Sequence, residues 1–249
     1  MYEVFADLHV HIGRSENGKP IKITAARSLN FANIAKECAE RKGINIVGII
    51  DCASPYVIED IEKFLKTGDA YELEDGGIIY KDKVCILLGS EVETSEKGRN
   101  GKCGAAHNVC FFPHLKDIKG FSNEMSKHIK NITLSTQRSD ISGYDLIDIV
   151  EKYNGILIPA HIFTPFKSYY GNCTDRLQYI FKEKYDKIFA VELGWYQRRQ
   201  ELSERRRLGV PPVLWHRQGR RLPLARGQCV PPGRGVEQYH RPVCRAGRA

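Results

Sequence analysis

Apolar residues fall into two alternating rhythms along this chain. Short runs dense in β-branched residues recur, each bordered by a polar side chain. A segment starting near Tyr2 closes on Asp7-Leu8-His9-Val10-His11, and Ile44-Asn45-Ile46-Val47-Gly48-Ile49-Ile50 closes on Asp51. Val84 to Leu88 leads into Gly89-Ser90-Glu91-Val92-Glu93, and Ala106-His107-Asn108-Val109-Cys110-Phe111-Phe112 opens with a histidine. Gly155 to Ala160 ends on His161, and Lys187 to Val191 ends on Glu192. Runs without polar alternation predict strands buried on both faces, the kind found in parallel sheets.

The second rhythm is helical and lies between most of these strands. Ile23 to Arg41 carries Ala25, Leu29, Ala32, Ile34, Ala35 and Ala39 at roughly helical spacing and meets Gly43 as a stop. Pro55 to Leu65 places Ser54 at the N-cap and proline at the first helical position. Ser142 to Tyr153 and Thr174 to Tyr185 predict two more helices, and Asp75-Gly76-Gly77 predicts a turn between short strands within Tyr71 to Asp82. Strand and helix in repetition imply an α/β architecture with a mostly parallel sheet. If that sheet closes into a barrel, its strand ends converge on one mouth.

Those strand ends hold the chemistry. On an extended strand His9 and His11 share a face, so one divalent ion could take both imidazoles, and Asp7, in phase with them, could orient an imidazole from the outer shell. Asp51, Glu91, His107 and His161 then recur at later strand ends, with Glu93 and Glu192 as weaker members. Imidazole with carboxylate suits Zn, Mn or Fe and argues against a thiolate-rich site. None of the eight cysteines forms a Cys-x-x-Cys pair, and Cys52, beside Asp51, is read as core packing rather than an extra ligand. Arg14, Lys22 and Arg138 are candidates for phosphate contact. His114 and His128 have no supporting pattern and read as surface residues. With no signal peptide or membrane span evident, and no framework of paired cysteines, the expected compartment is a reducing cytoplasm.

These motifs resemble the polymerase and histidinol phosphatase (PHP) superfamily, and within it endonuclease Q and its bacterial relatives. The likeness covers about residues 1 to 194. It is carried by Asp7-Leu8-His9-Val10-His11-Ile12-Gly13-Arg14, Lys22-Ile23-Thr24-Ala25, Gly48-Ile49-Ile50-Asp51-Cys52, Leu88-Gly89-Ser90-Glu91-Val92-Glu93-Thr94, Leu134-Ser135-Thr136-Gln137-Arg138 and Pro159-Ala160-His161-Ile162-Phe163-Thr164-Pro165. The second motif departs from the family, which usually has His where Cys52 stands. The resemblance implies a distorted (β/α)7 TIM-like barrel, incomplete here at its C-terminal end, holding two or three divalent metal ions. It implies His9, His11, Asp51, Glu91, His107 and His161 as ligands, with Asp51, Glu91 and His107 catalytic. The expected reaction is metal-dependent phosphoester hydrolysis, with DNA at deaminated or damaged bases as substrate and no obligatory protein partner. The other classes considered are a small-molecule phosphatase on the same fold and a non-enzymatic nucleic-acid-binding remnant.

Charge changes this picture only at the end of the chain. The net +8 suggests a nucleic-acid footprint. Residues 1 to 194, however, hold 25 basic side chains against 27 acidic ones, whereas residues 195 to 249 hold 13 Arg, no Lys and 3 Glu. The tail also lacks Ile, Phe, Asp, Asn, Thr and Met while holding both tryptophans. The family continues after Glu-Leu-Gly with a segment like Leu-Ser-Ala-Asp and later supplies an Asp-x-His to the metal site. Here Glu192-Leu193-Gly194 is followed by Trp195-Tyr196-Gln197-Arg198-Arg199. Back-translated and read from the second base, those five codons admit Gly-Ile-Ser-Ala-Asp. The expectation is therefore that residues 195 to 249 are an out-of-frame, disordered tail and that the last ligands are missing. His216 and His240 are not assigned to the site.

Overall fold

The structure is a computed structural model, described here for residues 4–97, 103–193 and 213–216. Strands β1 (Ala6–Val10), β2 (Ile46–Ile49), β3 (Ala70–Glu72), β4 (Ile78–Tyr80), β5 (Val84–Lys97), β6 (Cys103–Phe112) and β7 (Ile156–Pro159) form one sheet. Helices α1 (Phe31–Glu37), α2 (Pro55–Lys66), α3 (Leu115–Met125), α4 (Gly143–Lys152) and α5 (Leu177–Phe181) are interspersed with them. β8 (Ala190–Leu193) pairs in parallel with β9 (Val213–His216) as a separate two-stranded sheet. Among the described residues the architecture is mixed α/β and the large sheet is not closed.

The expected parallel sheet is corrected in part. β1, β2 and β5 do run parallel, but β5 is antiparallel to β4 and β6, and so are β3 to β4 and β6 to β7. Burial on both faces produced the apolar runs, and burial carries no information about strand direction. The long β5–β6 hairpin has a functional consequence, because its register sets Glu93 opposite His107 and Glu91 opposite Val109.

Three apolar clusters hold the sheet. The largest packs the helices through Phe31, Val57, Ile61, Phe121, Leu146 and Phe181. A second gathers Ile50, Val109, Phe111, Ile158 and Ala160 with Leu8, Leu87 and Ala190, drawing β1, β5, β6, β7 and β8 toward one another, and a third gathers Ala6, Ile46, Ile79 and Cys85. Gly89 permits this closeness, since a Cβ there would lie 2.8 Å from the Phe111 ring.

The predicted helices are present with adjusted bounds. α1 starts only at Phe31, where Asn30 accepts from the Asn33 amide, because residues 22–30 are held instead by turns such as Ala25 N–H to Lys22 O. Ser54 precedes α2 but spends its hydroxyl on Thr133 O, while Ser142 caps α4 by accepting from Asp145 N. The helical stretch predicted from Thr174 is α5 followed by a 3-10 turn, Lys182–Lys187. α3 was not foreseen; its apolar face, Ile118, Phe121 and Met125, is narrow in a polar segment. No helix of the described residues is long and apolar enough to cross a membrane. The expectation of a disordered tail falls outside the described residues except at β9.

Candidate metal centre

Glu91 is the hub of a buried cluster; contrary to the strand-end expectation, it and His107 lie mid-strand in β5 and β6, while His11 and His161 fall just past the ends of β1 and β7. Its Oε1 lies 3.4 Å from His9 Nε2, 3.1 Å from His107 Nδ1 and 3.6 Å from His161 Nε2. Its Oε2 lies 3.4 Å from His11 Nε2, accepts from Thr136 Oγ1 at 2.7 Å and sits 3.6 Å from Lys22 Nζ. Burial by itself would raise the Glu91 carboxyl, but the hydrogen bonds from His107 and His161 and the nearness of His9 outweigh it and hold it well below the usual carboxylate range.

All four imidazoles are engaged on both sides. His9 Nδ1 is 2.9 Å from Glu192 Oε2, and His11 Nδ1 is 3.1 Å from Asp51 Oδ2, so these two rings turn Nε2 toward Glu91. His107 is reversed: its Nε2 is 3.2 Å from Glu93 Oε2, and Nδ1 faces Glu91. His161 Nδ1 is 3.1 Å from Thr164 Oγ1, and its Nε2 faces Glu91. A carboxylate offers only lone pairs, so a nitrogen facing one donates when it carries a proton, and a metal ion taking the place of the proton on the inner nitrogen would leave the outer one as the donor to Glu192, Asp51 or Glu93. Metal-ligating histidines show this arrangement, with an outer partner fixing the tautomer while the inner nitrogen binds. Two ligand groups result, His9–His11–Glu91 and Glu91–His107–His161, each with its donor atoms within 4.8 Å of one another. Their imidazole and carboxylate donors fit divalent-metal binding.

The structure therefore gathers five of the six expected ligands around a common centre and gives the sixth a different position. Asp51 belongs to neither group. Its carboxylate, two residues past the end of β2, accepts from the Ile12 amide at 2.7 Å and stands behind His11. Asp7, expected to orient an imidazole, instead accepts weakly from the His9 backbone N–H at 3.4 Å. The β1–β2 register shifts between Asp7 and Val10, which breaks the simple alternation that put Asp7 in phase with the histidines. The orienting role falls to Glu192, which was underweighted. It is fully buried, and its Oε1 has no hydrogen-bond partner among the described residues.

The expected phosphate contacts divide similarly. Lys22 Nζ reaches His11 Nε2 at 2.9 Å and Thr136 Oγ1 at 3.0 Å, and Arg138 Nε bonds Glu93 Oε1 at 2.5 Å. Arg14 does not join them; its guanidinium donates to Gly18 O within its own loop. Lys167, which sequence reasoning missed, is 2.8 Å from Glu93 Oε2. His107, Lys167 and Arg138 together overcome burial and push the Glu93 carboxyl far below its ordinary range. His107 is raised in return, since its bonds to Glu91 and Glu93 outweigh the opposing effect of burial. Cys52 is buried and donates to Ile49 O, and burial raises its thiol well above the ordinary value. His114 and His128 lie away from the cluster, near Glu72 and Asp140 respectively.

No family model matches the chain. It is 44% identical over 195 residues, 78% of its length, to the uncharacterized protein YqxK of Bacillus subtilis, and covers 49% of that protein. It is 28% identical over 160 residues to the uncharacterized protein MJ0043 of Methanocaldococcus jannaschii, covering 16% of it. The chain thus spans half or less of the length of these relatives. Among solved structures, the lesion-specific endonuclease Q of Pyrococcus furiosus superposes with a TM-score of 0.61 at 24% identity, over 78% of this chain and 42% of that one. Endonuclease Q in complex with a 27-mer duplex carrying an abasic lesion at its active site gives a TM-score of 0.60 at 26% identity, over 78% and 43%. The chain is thus similar in fold to these endonuclease Q structures over 78% of its length, which supports the PHP-type resemblance of its motifs.

Proposed function

We propose that this domain is a metal-dependent phosphodiesterase that cuts DNA, in the manner of an endonuclease acting beside deaminated or damaged bases. The observation that carries the reading is the double engagement of His9, His11, His107 and His161, each with an inner nitrogen toward Glu91 and an outer partner behind it. A lone structural histidine needs one partner; four rings turned toward one shared carboxylate fit cation binding. His9, His11 and Glu91 would hold one divalent ion, and Glu91, His107 and His161 another. Bound there, such ions supply Lewis acidity and a water deprotonated near neutral pH. Thr136 donates to Glu91 and fixes its carboxylate plane, while Glu192, Asp51 and Glu93 hold the imidazole tautomers. Lys22, Lys167 and Arg138 line the cluster with positive charge, suited to a phosphate, and their ion pairs with Glu91 and Glu93 would loosen as one arrives. Similarity to the endonuclease Q complex favours DNA over a small monoester.

The reading includes the tail. We take residues from Trp195 onward to be translated out of frame, so that the full complement of ligands belongs to the in-frame counterpart and this chain is impaired. Sequencing the gene across the Gly194 codon tests this, and an uninterrupted frame shared by near relatives would overturn it. The function is tested by supplying manganese or zinc to this chain and to its frame-restored version, with uracil-containing or abasic duplex DNA and a panel of phosphomonoesters. Metal-dependent strand cleavage is expected; hydrolysis of monoesters alone would replace the nuclease with a phosphatase.

A further inference from the structure

The loop after β7 is tied to the metal centre on both sides of one outward-facing aromatic. His161 and Lys167 both adopt positive φ, +32° and +56°, unusual for residues with a side chain. Between them Thr164 Oγ1 meets His161 Nδ1 at 3.1 Å and lies 3.0 Å from Phe166 O. Lys167 O then accepts from His107 N at 3.0 Å while its ammonium pairs with Glu93. Phe163 stacks on Tyr170, with ring centroids 5.1 Å apart at 15°, and Ser168 and Tyr169 are fully buried. Between these held residues, Phe166 is 80% exposed. On the other loop that reaches the cluster, Ile23 follows Lys22 and is 81% exposed.

A large ring displayed to water between two held points, next to a lysine that faces the cluster, packs against no core cluster among the described residues. Such a ring next to cationic side chains matches how proteins hold an unpaired nucleic-acid base, with the cations on the backbone and the aromatic on the base. We propose that Phe166 is a stacking platform for a base of the DNA strand whose phosphate enters the metal centre. The inference rests on the nuclease reading and adds a contact that a small phosphate ester would not need. Stacking is tolerant of sequence because every base has a π face, so Phe166 would supply affinity without base identity.

The test is binding of the full chain to two fluorescent single-stranded oligonucleotides of equal length, one of thymidines and one of abasic tetrahydrofuran residues, in EDTA so that neither is cut. The two carry the same phosphates, so any contribution of the arginine-rich tail is common to both. Wild type is expected to favour the thymidine strand by about tenfold. Phe166→Ala should abolish that preference with little change on the abasic strand, and Phe166→Trp should restore it. A 2-aminopurine in the strand should be quenched by wild type and Phe166→Trp and not by Phe166→Ala. Equal binding of the two strands by wild type, or a preference that survives in Phe166→Ala, overturns the platform. It would leave the nuclease reading standing if metal-dependent cleavage is observed. Absence of binding to either strand together with absence of cleavage overturns both. Circular dichroism of each variant checks that the fold is retained.

Discussion

Removing the Glu192 carboxylate probes whether the outer partners of the imidazoles matter. In Glu192→Ala, the His9 Nδ1–H loses an acceptor at 2.9 Å in a buried setting and the His161 amide loses one at 3.3 Å in a partly buried one. Each orphaned donor costs about 1–3 kcal/mol. The opposing effect is that Glu192 itself is expensive to bury, because its Oε1 has no partner among the described residues and deletion removes that desolvation. The net loss of stability for the metal-free chain is therefore expected near the low end, about 1–3 kcal/mol. Gln at the same position keeps one acceptor oxygen for His9 and loses the charge, so Glu192→Gln should retain most of the stability. Metal affinity separates more sharply, because without an acceptor at Nδ1 the His9 ring is free to turn and its proton to sit on Nε2, and either change weakens the inner nitrogen as a ligand. A loss of about 10–100-fold is expected for Glu192→Ala, and less for Glu192→Gln. Urea unfolding in EDTA measures the first quantity and titration calorimetry with zinc or manganese the second. Zinc affinity in Glu192→Ala within twofold of wild type would refute the claim that Glu192 positions His9.

Other consequences are equally direct. Glu91→Gln should abolish binding at both ligand groups together, a loss beyond the ~100-fold that outer partners cost, seen as metal content after dialysis; retention of stoichiometric metal would count against a shared carboxylate. The folded-state Glu93 carboxyl lies far below its ordinary value of 4.5, so the stability it contributes is present above that value and lost as pH falls through the folded one. The stability gap between wild type and Glu93→Gln, measured in EDTA, should accordingly shrink from pH 5 toward pH 3, and a constant gap would contradict the assigned cause. Lys22→Ala should raise KM for a DNA substrate and lower the salt slope of binding by about one, as expected for one lost phosphate contact; an unchanged slope would leave Lys22 a structural partner of His11.

How far the site was legible depended on where each residue sat. His9, His11, Glu91, His107 and His161 stood out because they border apolar runs. Glu192 bordered one too, but a lone strand-end acid does not announce its partner across the fold. Asp7 fitted a local rule of alternation that a register shift between β1 and β2 overrides, and Asp51 closes an apolar run whose strand ends two residues before it. Lys167, Thr136 and Phe166 belong to loops with no period to read, and their roles arise from where strand pairing carries those loops. α3 was missed for a similar reason, since three apolar residues in a polar stretch make a helix only once the core face they cover exists.

The amino-acid order by itself determined the buried strands, most of the helices, the histidine and carboxylate chemistry, and the break in composition after Gly194. These are local properties: burial periodicity, capping and side-chain type are read within a few residues. The tertiary structure alone decided strand direction, the mixed sheet, the centring of four imidazoles on Glu91 and the exchange of the orienting role from Asp7 to Glu192. These depend on contacts between residues as far apart as His9 and Glu192, 183 positions along the chain. Only the packing of distant strands and helices into common apolar clusters brings such residues together.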